Sequence, residues 1–103
     1  MENGRDFFVE VQGETYQFWF IHTPTRYHLW GNGTTSVHIQ RMRDLGYAEA
    51  MTFCSRKDEY RRKKGEQESL RQLMDMLPWR KEDRERVWGA WREWRDAKAT
   101  TEH

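Results

Sequence analysis

The chain has 103 residues, and its 18 Lys and Arg against 17 Asp and Glu give a net charge of +1, which excludes a global field toward nucleic acid or membranes. Charged residues make up 34% of the chain, but aromatic residues reach 15%, which favours a folded domain over disorder. A single cysteine excludes an internal disulfide framework, and no apolar run is long enough to cross a bilayer. We expect one cytoplasmic domain over residues 1–103, without a signal peptide.

Two alternating runs, residues 6–12 and 15–22, flank a tight turn at Gly13-Glu14 and predict a β-hairpin. One side of this hairpin receives apolar residues from both strands, namely Phe7, Val9, Val11, Tyr16, Phe18 and Phe20. Trp19 and Ile21 lie on the other side, so the hairpin is apolar on both sides at one end. This pattern predicts either helices on both sides of the sheet or a contact surface on one side.

The next part of the chain predicts further strands. Residues 26–30 form a short candidate strand, and Gly31-Asn32-Gly33 a second turn. Residues 34–42 alternate apolar and polar side chains, which is typical of a strand with one wet side. The polar side of that strand carries Ser36, His38 and Gln40. With a last strand at residues 48–54, the first half predicts four or five antiparallel strands in a meander over about residues 5–55.

Helices are predicted in the second half. Residues 55–58 match a helix-capping box, and Gly65 is expected to interrupt any helix that begins there. After Gly65, four apolar residues recur at the spacing of one helical face, namely Leu70, Leu73, Met74 and Leu77. Pro78 marks a boundary, because the residue before a proline disfavours the α region. Residues 81–98 predict the last helix.

In this last helix Val87, Trp91 and Trp94 share one face, with Trp88 at its margin. Strands followed by helices predict an α+β domain, in which helices at about residues 56–98 pack on one face of the sheet. Residues 99–103 are expected to be a frayed tail.

Basic residues are concentrated before the first predicted helix. Such a run could hold a phosphate backbone or the acidic patch of a partner, and the alternative is a solvated loop and helix start. Arg41 and Arg43, which precede the adjoining predicted strand, would extend this basic run. The candidate basic patch consists of Arg41, Arg43, Arg56, Lys57, Arg61, Arg62, Lys63 and Lys64.

The tryptophans allow three interpretations: core packing, a protein contact, or a platform on which bases stack. Stacking is opposed by the acidic residues of the last helix, which would repel phosphates. The candidate aromatic binding residues are Trp19, Trp88, Trp91 and Trp94.

Metal and nucleophile sites have weak support. His22, His28 and His38 lie on different predicted strands and with Cys54 could meet at a metal ion, but no pair has zinc-finger or HExxH spacing. No base or orienting group is identified for Cys54 as a nucleophile. The sequence therefore predicts no metal, no cofactor and no enzymatic activity.

Residues 34–74 combine a threonine-bearing strand, a strand with a cysteine near its end, an Asp-x-aromatic step, a glycine and a leucine-rich helix. The residues that carry this pattern are Thr35, Cys54, Asp58, Tyr60, Gly65, Leu70 and Leu73. In it the chain resembles small phage-encoded proteins of unknown function, with Ser69 where that pattern usually has Ala. The resemblance implies a mobile element in a bacterial host. Compact phage proteins without an active site often block host machinery, anti-CRISPR proteins among them.

Three functional hypotheses follow. The first is a phage-type inhibitor or adaptor that binds stoichiometrically to a host nucleic-acid-handling protein, such as a Cas nuclease. The second is a module that binds nucleic acid directly through the basic patch. The third is a structural protein that forms a homodimer through the tryptophan helix.

Overall fold

The computed structural model of the chain describes residues 6–24, 33–54 and 62–101. It has four strands, β1 (Asp6–Val11), β2 (Glu14–Pro24), β3 (Gly33–Arg41) and β4 (Tyr47–Cys54), followed by helices α1 (Arg62–Met76) and α2 (Lys81–Thr101). The strands form one antiparallel sheet in the order β1-β2-β3-β4. This meander followed by two helices confirms the predicted α+β class. α1 lies against β3 and β4, and α2 lies against β1.

The β1–β2 hairpin turns at Gln12 and Gly13, one residue earlier than predicted. Both residues are left-handed, with φ of 53° and 80°, as expected for a two-residue hairpin turn that matches the strand twist. The Gln12 side chain donates a hydrogen bond to Asp83 in the first turn of α2, at 2.7 Å. Asp83 also accepts a hydrogen bond from the Arg80 backbone N–H at the start of that helix. The turn is therefore tied to the beginning of α2.

The core lies between the helices and one face of the sheet. The predicted alternation is confirmed in β1, where the inner positions are buried and their neighbours are exposed. The buried apolar residues are Phe7, Val9, Val11, Phe18, Phe20, Val37, Ile39, Ala50, Leu70, Leu73, Met74, Val87 and Trp91. Phe7 stacks on Phe18 with a ring-centroid distance of 5.1 Å. Full burial of one such side chain contributes about 1.5–3 kcal/mol to the free energy of unfolding. Because residues of both helices belong to this core, their burial holds both helices against the sheet.

Gly65 does not interrupt the first helix, which contradicts the sequence prediction. It lies inside α1, where a Cβ atom would come within 2.2 Å of the Thr35 hydroxyl oxygen and 2.8 Å of the Thr35 Cβ. Glycine is needed here because the α1 backbone approaches β3 closely. It serves the packing of the helix against the sheet.

The remaining differences concern boundaries. The candidate strand at residues 26–30, most of the turn at residues 31–33 and the capping box at residues 55–58 lie outside the described residues. α2 continues to Thr101 and so extends beyond its predicted end at Lys98. Pro78 lies between the two helices, as predicted.

Substitution of the two helical glycines tests the close approach of α1. We expect Gly65→Ala to lower the free energy of unfolding, because overpacking against Thr35 costs about 1–3 kcal/mol and outweighs the gain in helix propensity. Gly89→Ala in α2 is the matched control, since a Cβ there meets no atom within 4 Å. Gly89→Ala should raise the free energy of unfolding by about 0.5–1 kcal/mol, because alanine has the higher helix propensity. Urea denaturation measures both, and changes of the same sign and size would contradict the close contact.

Candidate functional site

The side of the sheet that faces away from the helices carries large apolar side chains. Phe8, Ile21, Tyr47, Met51 and Phe53 occupy its outward positions and are each between 48% and 59% exposed. Trp19 lies among them and is half-buried. We call this surface, formed by the outward residues of β1 to β4, the open face. Exposed apolar patches of this kind are typical of contact sites, and a contact surface on one side was one of the two alternatives that the hairpin pattern left open.

The register of the strands places these residues in cross-strand rows. Asp6, Trp19, His38 and Glu49 lie side by side in one row across all four strands. The next row brings Ile21 and Met51 to either side of Ser36. The apolar residues of β2 and β4 are therefore neighbours in space, although more than 25 residues separate them in the chain.

His38 is the centre of the open face. Its ring stacks on Trp19 at a centroid distance of 5.3 Å and an interplanar angle of 11°. Its Nε2 is 2.9 Å from the Ser36 hydroxyl, and its Nδ1 contacts the Tyr47 hydroxyl and lies 3.2 Å from a Glu49 oxygen. Tyr47 in turn donates a hydrogen bond to Glu49 at 2.7 Å. This His38 cluster holds its members in one arrangement.

The prediction that the polar side of β3 is wet is wrong at two positions. Ser36 is 6% exposed and His38 is 8% exposed. The Trp19 and Tyr47 side chains pack against the imidazole and exclude water from it. Burial lowers the pKa of His38, and the Glu49 carboxylate acts in the opposite direction. Burial of the phenol and its hydrogen bond to Glu49 raise the pKa of Tyr47 to about 12.

The order Ser36, His38, Glu49 is that of a nucleophile, a base and an orienting acid. Acyl transfer also requires hydrogen-bond donors that hold an oxyanion next to the nucleophile. β3 is a central strand that pairs with β2 and β4 on either side of Ser36, so its backbone N–H groups are committed to the sheet. We therefore interpret the His38 cluster as the rigid centre of a binding surface.

The candidate basic residues that the structure describes do not form one patch. Arg41 makes a two-pronged ion pair with Asp44, at 2.8 and 3.0 Å, and Arg43 lies 3.3 Å from Glu14. The pairing with Arg41 lowers the pKa of Asp44 to about 2. Arg41 is the last residue of β3 and Arg43 follows it, whereas Gly65 near the start of α1 lies beside Thr35 toward the other end of the strand, about 20 Å away.

Three members of the predicted patch, Arg62, Lys63 and Lys64, are exposed at the start of α1. The other three, Arg56, Lys57 and Arg61, lie outside the described residues.

Two of the candidate tryptophans belong to the core side of α2. Trp91 is 2% exposed, and its indole N–H donates a hydrogen bond to Glu66 at 3.0 Å. Trp94 is half-buried and packs on Phe7 and Phe20, with centroid distances of 5.4 and 5.7 Å. Core packing, one of the three interpretations of the tryptophan stripe, therefore describes these two residues.

The other two tryptophans reach the surface. Trp88 is half-buried, lies edge-on to Trp91, and lines an open groove of about 300 Å³ with Gln67, Glu68 and Arg71. Trp19 is the one candidate tryptophan on the open face.

A buried polar network links the sheet to both helices. Glu66 of α1 is fully buried, and its carboxylate lies 2.9 Å from His22 Nε2, 3.0 Å from Trp91 Nε1 and 3.4 Å from Arg95 Nη1. The other His22 ring nitrogen lies 3.2 Å from the Thr35 hydroxyl. The sequence analysis missed this network, although Glu66 shares the helical face of Leu70 and Leu73, a signal that could have identified it as buried.

Removal of the Glu66 carboxylate should destabilise the protein strongly. We expect Glu66→Ala to lower the free energy of unfolding by about 3–5 kcal/mol, because buried donors lose their shared acceptor. Glu66→Gln keeps the shape and should cost less, about 1–3 kcal/mol. Glu93→Ala, at an exposed position of α2, should stay within about 0.5 kcal/mol of the parent. Equal effects of the Glu66 and Glu93 substitutions in urea denaturation would rule out the network as a stabilising element.

Two of the potential metal ligands, His22 and His38, lie apart in the described part of the chain. His22 points into the core side and His38 into the open face, so they lie on opposite sides of the sheet. No group of three His, Cys, Asp or Glu among the described residues could hold a metal ion. His28 and the Cys54 side chain lie outside the description. Within the described residues, no helix is long and apolar enough to span a membrane.

The His38 cluster predicts a pH-dependent stability. The pKa of His38 lies below its ordinary value of 6.5, so the unfolded chain binds the proton more readily than the folded protein. The contribution of His38 to the free energy of unfolding is therefore complete above about pH 6.5. It is lost as the pH falls from there toward the pKa of His38 in the folded protein. Glu49→Gln should lower the pKa of His38 further, since the carboxylate raises it.

A histidine-detected NMR titration of the parent and the Glu49→Gln variant measures this pKa directly. Urea denaturation at about pH 7 and pH 5 gives the matching stabilities, with His38→Gln as the variant in which this pH dependence is reduced. A pKa of His38 above its ordinary value, or an increase on removal of the Glu49 charge, would contradict the cluster.

Comparison with known proteins adds no relative. No protein family, curated protein or solved structure matches this chain. The resemblance to small phage proteins therefore stays a prediction, and the argument for function depends on the surface itself.

Proposed function

We propose that this chain is a small phage-type binding protein that inhibits or modulates a host nucleic-acid-handling protein by stoichiometric contact. A Cas nuclease is the most specific candidate partner. The observation that supports a binding role is the open face, where five large apolar side chains are about half exposed on one sheet. Covering the exposed part of each would contribute of the order of 1 kcal/mol.

The rigidity of the open face also favours binding. Its central rings, Trp19 and His38, are stacked, and the Tyr47 hydroxyl is held by Glu49. Side chains that are already ordered lose little conformational entropy when a partner covers them. Large aromatic residues at the centre of a patch are also the usual anchors of protein interfaces.

The charges on the open face favour another protein with a basic surface as its occupant. Asp6, Glu10 and Glu49 are exposed there. A phosphate backbone would be repelled by these carboxylates. A second copy docked face to face would place the same acids against each other, which disfavours a homodimer through the open face; the homodimer through the tryptophan helix stays a prediction.

Direct nucleic-acid binding is a second candidate, favoured by the exposed cations Arg62, Lys63 and Lys64 at the start of α1, where the first turn has no acid. A labelled oligonucleotide whose affinity falls steeply with log salt would support this function instead.

Paired variants test the proposed function in a cleavage assay with purified Cas nucleases. The parent protein should inhibit cleavage of target DNA by at least one of them at a 1:1 ratio. The double variant Ile21→Ser/Met51→Ser removes two neighbouring apolar side chains and should weaken inhibition at least about tenfold. The control Met76→Ser removes an exposed methionine at the end of α1 and should change nothing.

Failure to inhibit any nuclease in the panel would reject the proposal. Equal loss of inhibition in both variants would reject the open face as the contact surface. Circular dichroism of each variant verifies that it remains folded.

A further inference from the structure

We infer that the open face occupies the basic, nucleic-acid-binding groove of its partner, so that the partner cannot hold this protein and nucleic acid at once. This inference rests on the proposed function and adds the mode of inhibition to it. Its basis is the sign and arrangement of charge on the open face, together with its aromatic rings.

The open face carries acids without bases. In the strands as the structure describes them, Asp6 and Glu10 of β1 and Glu49 of β4 occupy outward positions, and Lys and Arg occupy none. The protein as a whole has a net charge of +1, so this surface differs in sign from the rest. A local excess of one sign attracts a surface of the opposite sign and orients it.

The acids lie on the two edge strands, β1 and β4, and Trp19 and Ile21 lie between them on β2. Asp6 and Glu49 end the same cross-strand row, three strand spacings or about 14 Å apart. That distance exceeds the Debye length at physiological salt, so the carboxylates repel each other little. The Glu49 side chain is 56% exposed and can accept a further partner beside Tyr47.

Several arginines of α2 are engaged on the helix side of the molecule. Arg84 donates to the Trp79 carbonyl at 2.7 Å, and Arg95 lies 3.4 Å from Glu66. Arg86 donates to the backbone carbonyl of Glu10 at the edge of β1, which leaves the Glu10 side chain exposed. Each of these three guanidinium groups therefore contacts an acceptor other than the outward carboxylates.

Rings and carboxylates together suit the residues that line a nucleic-acid-binding groove. Such grooves hold phosphates with Lys and Arg, and a guanidinium group also stacks on aromatic rings and pairs with carboxylates. Tyr47 exposes its ring next to Glu49 on the outward side of β4, and Phe53 exposes its ring two outward positions further along the strand. The groove's arginines would find on this surface both the negative charge and the flat rings that phosphates and bases otherwise provide.

The first experiment tests the chemistry of the surface with a defined probe. A peptide of repeated Arg-Gly is titrated into ¹⁵N-labelled protein at low salt. We expect shifts in the amide signals of outward residues on β1 and β4 and in the Trp19 indole N–H. The variant Glu10→Lys/Glu49→Lys should weaken binding about tenfold, and Glu10→Lys alone, which leaves the His38 cluster intact, about threefold.

The control Glu85→Lys/Glu93→Lys makes the same change in net charge at exposed positions of α2 and should change the peptide Kd by less than about twofold. Peptide shifts confined to the helices, or equal weakening by both double variants, would overturn the inference.

The second experiment measures competition on a nuclease that the protein inhibits. The protein should bind the nuclease without DNA and lose at least about tenfold in affinity once target DNA fills the groove. Equal affinity for the free and the DNA-loaded enzyme would overturn the inference and leave the proposed function standing. Peptide binding on the open face without inhibition of any nuclease would instead overturn the proposed function and leave the surface chemistry standing.

Discussion

The contact of α1 with β3 at Gly65 and Glu66 determines how the rest of the molecule is arranged. The missing side chain of Gly65 lets the helix backbone approach Thr35, and the next residue places its carboxylate within reach of His22. The same carboxylate accepts a hydrogen bond from Trp91 of α2. A buried charge is tolerated only when it is paired, so the network requires both helices to lie on this side of the sheet at one depth.

One consequence is that both helices pack on the same face of the sheet. The apolar residues of α1 and α2 fill the space above β1 to β4, and the large apolar residues Phe8, Ile21, Met51 and Phe53 on the other side remain exposed. A chain of this size buries only about 60–70% of its surface, so a second layer of helices would need more residues. The open face has more apolar side chains than a wet sheet face needs. The partner proposed above would account for them.

The order of apolar and polar residues predicted the features that depend on neighbours along the chain. Alternation identified the strands and both faces of the hairpin, and the spacing of Leu70, Leu73 and Met74 identified the buried face of α1. Contacts between distant segments were not predictable in this way. Gly65 was expected to end the helix, because its local cost in a helix is known while its neighbour Thr35 was not. Ser36 and His38 were expected to be wet, because their cover comes from Trp19 and Tyr47 on adjacent strands. Among the described members of the basic patch, Arg41 and Arg43 lie at one end of β3, whereas Arg62 to Lys64 begin the helix that packs near its other end.

Glu49 connects the stability of the open face with the nature of its partner. In the free protein this carboxylate is partly hydrated and accepts the hydrogen bond of Tyr47. A partner that covered the central row would remove that water, and burying a carboxylate without a compensating charge costs several kcal/mol. An apolar partner would therefore lose on Glu49 much of what it gained on Ile21 and Met51. A partner that presents a guanidinium or ammonium group at this point avoids that cost, and for this reason the aromatic and acidic parts of the surface favour the same kind of occupant.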